Sequence, residues 1–468
     1  MHVIQDYIEK NKINMINFKR YTLFFALLFL LININAQKTN NKDFTLQQAI
    51  DFSLKNSPNY LNAELDIENA NYRRKEITGI GLPQLSSSID LKDYINIPTS
   101  LLPAQIFGGP AGSYLPVKFG TKYNSTAGFS ASQLIFSSDY IFGLKASQEF
   151  MNLSKINLSR TKSDLVAQVS KAYYNVIINK ERIKLLEANI LRLKKIFDDT
   201  KAFNQQGFAE LIDVERLEVQ LNNLLTEKDK IVKLIGLSET MLKFQMGYKL
   251  SDSIFLSQTL PEFSDQFEEL NVSKIDVSKR PEYQLIQSQQ ALFDIDVKRM
   301  KWGFLPTIAA YGALQYNAQR ASFNLLDFDK NDINKQWYQV SLIGFTLNMP
   351  IFSGMQRINK LEQAKITALK NKNTLINVQM ASELEATAAS VSYSNAYSSL
   401  IIQRKNMDLA QHVYDVAQKK YQSGVGSNLE IVNAETSLKE AQTNYYNASF
   451  DMIVAKIDYQ KAIGTLVK

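Results

Sequence analysis

The chain has 468 residues, 45% of them hydrophobic and 21% charged, with a formal net charge of +7 and no cysteine. That balance excludes wholesale disorder, and the missing cysteine excludes disulfides, thiolate metal sites, a thiol nucleophile and a lipidated N-terminal cysteine. There are only two histidines, His2 and His412, and Lys and Arg are interspersed with Glu and Asp, which leaves no metal cluster, no catalytic constellation and no basic block suited to nucleic acid.

From Met15 the chain reads MINFKRYTLFFALLFLLININAQ. Lys19 and Arg20 form a basic start, Leu23 to Ile32 an apolar centre, and Asn35-Ala36-Gln37 a small-residue cleavage site. This is the pattern of a secretory signal peptide over residues 1–36, and Met15 serves as its start as well as Met1. The apolar centre is shorter than the roughly 20 residues a helix needs to span a bilayer. With the leader removed, the net charge is about +5.

Past the leader the chain repeats itself. NSPNYLNAELDIENANYRRKEITGIGLPQL, from Asn56, lies without a gap on KRPEYQLIQSQQALFDIDVKRMKWGFLPTI, from Lys279. Pro58 falls on Pro281, Tyr60 on Tyr283, Lys75 on Lys298 and Leu82-Pro83 on Leu305-Pro306. Ile135-Phe136 then falls on Ile351-Phe352, and Gly207 on Gly424, which puts Asp213 on Glu430 and Glu218 on Glu435. The expected division is a first repeat over 37–245, a connector over 246–278 and a second repeat over 279–468. Each repeat reads helix, strand, strand, long helix, turn, helix.

The strands alternate. Leu85, Ser87, Ile89, Leu91 and Ile95 share one face, and Gln84, Ser86, Ser88, Asp90, Lys92 and Asn96 the other. In the second repeat Ile308, Ala310, Gly312, Leu314 and Tyr316 oppose Thr307, Ala309, Tyr311, Gln315 and Asn317. Residues 122–136 and 336–352 are the expected partner strands. The connections 98–120 and 318–335 read as long external loops, and Tyr94, Tyr311, Tyr316, Trp337 and Tyr338 as interfacial aromatics. Four such strands suit a transmembrane barrel, cannot close one, and cannot leave an open edge in lipid, so several copies must associate.

The helices are long. Leu165, Val169, Ala172, Val176, Ile183, Leu186, Ile190, Leu193 and Phe197 form a coiled-coil-like stripe. A second runs from Ala386 through Tyr393, Leu400, Met407 and Tyr414 to Tyr421. No proline interrupts 138–202 or 354–421. Each long segment ends at a small turn, FNQQGFAELIDVERLE at 203–218 and YQSGVGSNLEIVNAE at 421–435. Ser427 and Glu430 have the spacing of a capping box.

The segment FTLQQAIDFSLKNSP (44–58), the two Leu-Pro strand starts and the paired glycine turns resemble the TolC-like outer-membrane efflux proteins, over nearly all of the chain after the leader. The resemblance implies an α+β membrane protein: an internally duplicated helical tunnel, with four strands per protomer completing a trimeric 12-stranded barrel. It implies a homotrimer in the outer membrane of a Gram-negative bacterium, in contact with outer-membrane lipid. Its partners would be a periplasmic adaptor and an inner-membrane pump, and it would be a passive duct with no cofactor and no enzymatic activity. It implies that Gly207, Tyr421, Gly424 and Gly426 lie at hairpin tips that meet the adaptor. Asp213 and Glu430 would ring a closed periplasmic entrance. Asn433 stands where a second acid is common, and Gly426 where a basic link residue can stand. The acids can equally be helix-capping residues, and Tyr421 can latch neighbouring hairpins or simply pack. The competing reading is a periplasmic coiled-coil adaptor or scaffold without a pore, which explains the leader and the helices but not the strands.

Overall fold

A computed structural model describes residues 43–257 and 276–467, apart from 326, 328 and 330. The expected signal peptide and most of the expected connector lie outside the described residues. The first repeat opens with a short strand β1 (Asp43–Phe44) and helix α1 (Leu46–Asn56). Thr45 supplies a full capping box to α1: its hydroxyl accepts from the Gln48 amide, and the Gln48 side chain accepts from the Thr45 amide at 3.0 Å. Helix α2 (Pro58–Ile80) starts on Pro58, and its counterpart α5 (Pro281–Trp302) starts on Pro281. Proline suits that first position because the missing N–H would have no partner there.

After α2 come β2 (Gln84–Asp93), a small hairpin of β3 (Thr99–Pro103) and β4 (Tyr114–Lys118), and β5 (Tyr123–Phe136). Helix α3 (Ser138–Gln205) then runs 68 residues, about 102 Å at 1.5 Å per residue, and returns as α4 (Leu211–Met246). A two-residue strand β6 (Phe255–Leu256) pairs in parallel with β1. The second repeat follows α5 with β7 (Thr307–Arg320), β8 (Tyr338–Asn348), the 67-residue α6 (Gln356–Gln422) and α7 (Asn428–Ala462). The hairpin β3–β4 interrupts what the sequence reads as a plain loop, because the glycines and prolines that signal a loop also bracket two five-residue strands.

The strands of both repeats form one antiparallel sheet in the order β2-β5-β7-β8, with β2 and β8 as its edges. The register separates two surfaces. Leu85, Ile89 and Leu91 share a face with Ala127, Phe129, Ala131, Leu314, Ile343, Phe345 and Leu347. The opposite face carries Gln84, Ser86, Ser88, Asp90, Thr126, Ser130, Ser132, Gln315, Asn317 and Thr346. Hydrogen bonds run across the polar face, Ser86 to Ser130 at 2.7 Å and Thr126 to Asn317 at 2.8 Å. The apolar face is open: Ile89 and Ile343 are 81% and 90% exposed. The expected aromatic girdle is only partly there. Tyr316 lies on the apolar face, but Tyr311 and Tyr338 pair into the polar one, and Tyr311 lies over Gly344.

Below the sheet the helices form two hairpins, α3 with α4 and α6 with α7, that pack on each other through α3 and α7. The expected stripes are the buried seams. Leu186, Leu193, Ile196, Leu217, Leu224 and Ile231 of the first hairpin join Tyr414, Ala417, Ile431 and Leu438 of the second in one core. Higher up, Ile178, Tyr393, Leu400, Met452 and Ile453 form another. Where β1 and α1 wrap α3 and α4, Phe44, Val169, Tyr173, Val176, Leu242 and Met246 form a third. No described helix is long and apolar enough to cross a membrane.

Candidate functional site

The two hairpin tips lie side by side at the end of the helical region, and most of the sequence-predicted residues meet there. Both tips reverse on a glycine in the left-handed region, Gly207 at φ 81° and Gly424 at φ 75°, with open space around each. A residue with a Cβ would be strained in that conformation. Gly426 has a different reason to be glycine. A Cβ there would stand 2.9 Å from the Tyr421 backbone nitrogen and 3.0 Å from the Lys420 Cβ. The second tip therefore excludes at position 426 the basic link side chain that the family resemblance allows.

Ser427 caps α7, its hydroxyl accepting from the Glu430 amide at 3.2 Å. The expected capping box is only half built. Its second arm would bring the Glu430 carboxylate back to the Ser427 amide, but the carboxylate instead accepts from Lys420 Nζ at 3.0 Å, across the turn. Both groups are about half exposed, so the pair contributes on the order of 0–1 kcal/mol. Asp213 sits in the first turn of α4 and pairs with Arg216 at 3.6 Å. Asn433 is exposed on the first turns of α7. Each carboxylate carries a cation beside it, which reduces the field it projects.

Three contacts that sequence reading missed join one tip to the other. The hydroxyls of Thr200 on α3 and Tyr421 on α6 are 2.7 Å apart, and Thr200 is fully buried. Tyr421 also packs against the lower core, so it both bonds and packs between the two hairpins of one chain. Asn428 donates from Nδ2 to the Asp213 backbone carbonyl at 3.1 Å. Further up, Gln220 of α4 donates to Thr436 of α7 at 2.9 Å. The only local sign of the first contact is a threonine standing at a core position one turn past Ile196.

A polar cluster lies inside the lower core. Arg192 of α3 stacks over the Tyr414 ring at 5.3 Å, donates to Asn189 and stands 4.0 Å from the Glu435 carboxylate. Asn189 in turn donates to Gln442 at 2.8 Å. Glu435 is buried, and neither of its carboxylate oxygens has a hydrogen-bond partner. Burial pushes its pKa above the usual carboxylate value, and Arg192 offsets that only in part. The Tyr414 hydroxyl, pushed up to about 12 mainly by burial, stays neutral. Glu218, the counterpart of Glu435 in the first repeat, is exposed. The duplication thus keeps a glutamate in both halves and buries only the second.

Among the described residues no group of His, Cys, Asp and Glu is placed to hold a metal ion. The two tips form a joined end to a helical rod whose other end is an amphipathic sheet.

The family model for outer membrane efflux proteins matches residues 284–465. The outer membrane protein TolC of Vibrio cholerae is 20% identical over 350 residues, 73% of this chain and 77% of that protein. A probable efflux pump outer membrane protein of Pseudomonas putida, TtgC, is 21% identical over 347 residues, 74% of this chain and 69% of that protein. Among solved structures, the Campylobacter jejuni CmeC outer membrane channel superposes with a TM-score of 0.71 at 16% identity, covering 90% of this chain and 86% of that one. Sequence, repeat and fold agree in their likeness to TolC-like outer-membrane efflux proteins.

Proposed function

We propose that the protein is the outer-membrane channel of a tripartite efflux or type I secretion system, a passive duct that a periplasmic adaptor and an inner-membrane pump open and load. The observation that carries this reading is the sheet. It has one apolar and one polar face, two unpaired edges, and two helical hairpins descending from it. In lipid every backbone group must find a partner, so an open four-stranded sheet is incomplete there. Three copies joined β8 to β2 make twelve strands, with the apolar face toward lipid and the Ser, Thr, Asn and Gln face toward water. A pore-less adaptor gives such a sheet no role.

The helices support the same assembly. Besides its buried seam, α6 exposes Ile366, Leu369, Ile376, Met380, Leu384 and Val391, and α4 exposes Val219, Leu234, Leu237, Met241 and Phe244. These are second apolar seams on helices already packed on one side, and further helices must cover them. Neighbouring protomers meeting along these faces close a tunnel through the periplasm.

In this reading the tips are the entrance. Asp213 and Glu430, three copies each, favour cations, and Asn433 adds no charge. Gly207, Gly424, Gly426 and Tyr421 shape the surface the adaptor meets, where Phe208 and Val425 stand about 80% exposed. Native mass measurement on protein extracted from outer membranes tests the assembly. A detergent-dependent trimer is expected. A monomer released by high salt without detergent overturns it.

A further inference from the structure

The hairpin β3–β4 is an apolar element in the wrong place for a loop. Its ribbon and ten-residue tip expose Leu101, Ile106, Phe107, Tyr114 and Leu115, with Phe119 just after, each 43–70% exposed. From residue 94 to 138 the chain has no acidic residue, and its only charges are Lys118 and Lys122. Lys122 is held at the base, 4.0 Å from Asp93 and over the Tyr123 ring. Lys118 pairs with Thr99 in the first rung of the ribbon. The tip itself is uncharged.

Its position follows from the ladder. Strand β2 pairs with β5 over ten residues, Gln84 to Asp93, and the last rung runs from the Tyr94 amide to the Lys122 carbonyl at 2.8 Å. About 9–11 tilted residues cross a membrane core, so the crossing is finished at Asp93. The ribbon resumes at Thr99, beyond a break marked by Pro98 and by Gly120 at φ 114°. It therefore stands past the hydrocarbon, on the side away from the helices.

Neither simple environment suits it. The ribbon is two-stranded, and both outer edges are unpaired. Hydrocarbon does not accept open edges. In water an isolated two-stranded hairpin is marginal, and this one is apolar on both faces, with Leu101, Pro103 and Tyr114 on one and Leu102, Leu115 and Val117 on the other. A protein surface meets both demands. The nearest is the same element in a neighbouring copy, because the ribbon continues β2, the free edge at which the neighbour joins.

We propose that the three β3–β4 hairpins pack against one another over the outer mouth of the barrel and form an apolar cap. This inference rests on the trimeric reading above and adds to it a second barrier, in series with the periplasmic tips. Cargo moving outward parts the cap, and water-soluble compounds outside meet it closed.

The absence of cysteine makes the test clean. Phe107→Cys gives one thiol per copy, and a short bis-maleimide on intact cells should convert most of the protein to covalent dimers. Native mass of untreated protein is read in parallel. A trimer that does not cross-link overturns the cap alone, whereas the absence of a trimer overturns the cap together with the assembly beneath it. A fluorophore on the same thiol that brominated lipid quenches places the tip in lipid and also overturns the cap. As a second readout, Ser88→Cys on the polar face is labelled from outside with a polymer-coupled maleimide. Replacing residues 99–118 by a short Gly-Ser turn should speed that labelling roughly ten-fold. The full-length pair Ile106→Ser and Phe107→Ser should do the same without shortening the chain. An unchanged rate in both contradicts the cap.

Discussion

The two hairpin tips descend from one duplicated unit and bend the same way, yet they are held differently. Gly207 and Gly424 occupy matching positions with nearly the same φ. Around them the residues diverge. Asn204 donates back to the Ala209 carbonyl at 2.8 Å and stabilises its own turn. Its counterpart, Tyr421, reaches the other hairpin at Thr200. Glu210 precedes α4 without any side-chain cap, whereas Ser427 caps α7. Ala209 stands where Gly426 stands, and only the second tip closes too tightly for a Cβ. The first tip is therefore a self-contained turn, and the second is the one that grips its neighbour. In the proposed duct, opening the entrance means releasing the second.

The largest test of that asymmetry is at Gly426. Gly426→Ala sets a methyl against the Tyr421 backbone, which cannot yield without moving the turn. Overpacking of this kind costs about 1–3 kcal/mol, read as a lower thermal midpoint and faster proteolysis at the second tip. Ala209→Gly in the first tip should cost under about 1 kcal/mol. Equal effects would show that the tips are equivalent.

Next comes the hairpin latch. Tyr421→Phe leaves the buried Thr200 hydroxyl without its partner and should weaken the hairpin contact by about 1–2 kcal/mol. Channel conductance should rise. Asn204→Ala should leave conductance unchanged, because Asn204 bonds only within its own turn. A rise from both substitutions would remove the distinction between tips.

Smaller effects are expected from charge. Glu430→Gln and Asp213→Asn each remove a carboxylate that already has a cation beside it, Lys420 at 3.0 Å and Arg216 at 3.6 Å. Each should lower cation preference in reversal-potential measurements modestly, and the double variant more. An unchanged reversal potential in the double variant would leave both residues as capping groups only.

The smallest effect is a pH slope. Glu435 has a folded pKa above its unfolded one. Its contribution to stability is fully present below the ordinary carboxylate value and is lost as pH rises through the raised one. The groups beside it are Arg192 and Tyr414. The thermal midpoint in detergent should therefore fall as pH rises through that window. Glu435→Gln should flatten the slope, while Glu218→Gln, at the exposed counterpart, should leave it unchanged.

Sequence reading reached what is periodic. The helical seams are legible because a 3-4 alternation is local and sustained, and proline is missing from both runs. The two faces of the sheet are legible because side chains alternate along a strand, and alternation alone places Tyr311 on the polar face. Contacts between distant residues are not legible. Thr200 and Tyr421 are 221 positions apart, and no pattern announces the pair. The short ribbon β3–β4 is hidden by the glycines and prolines around it. The half-built capping box shows a further limit: spacing identifies a possible partner, but Lys420 competes for the same carboxylate and takes it.

The central question is whether this chain forms a membrane-spanning duct that rests nearly closed. Single-channel recording of the detergent-purified protein in a planar bilayer tests that directly. A small, cation-preferring conductance that grows on Tyr421→Phe is expected. Correctly inserted oligomers that conduct nothing, in the parent and in the variant alike, would contradict it.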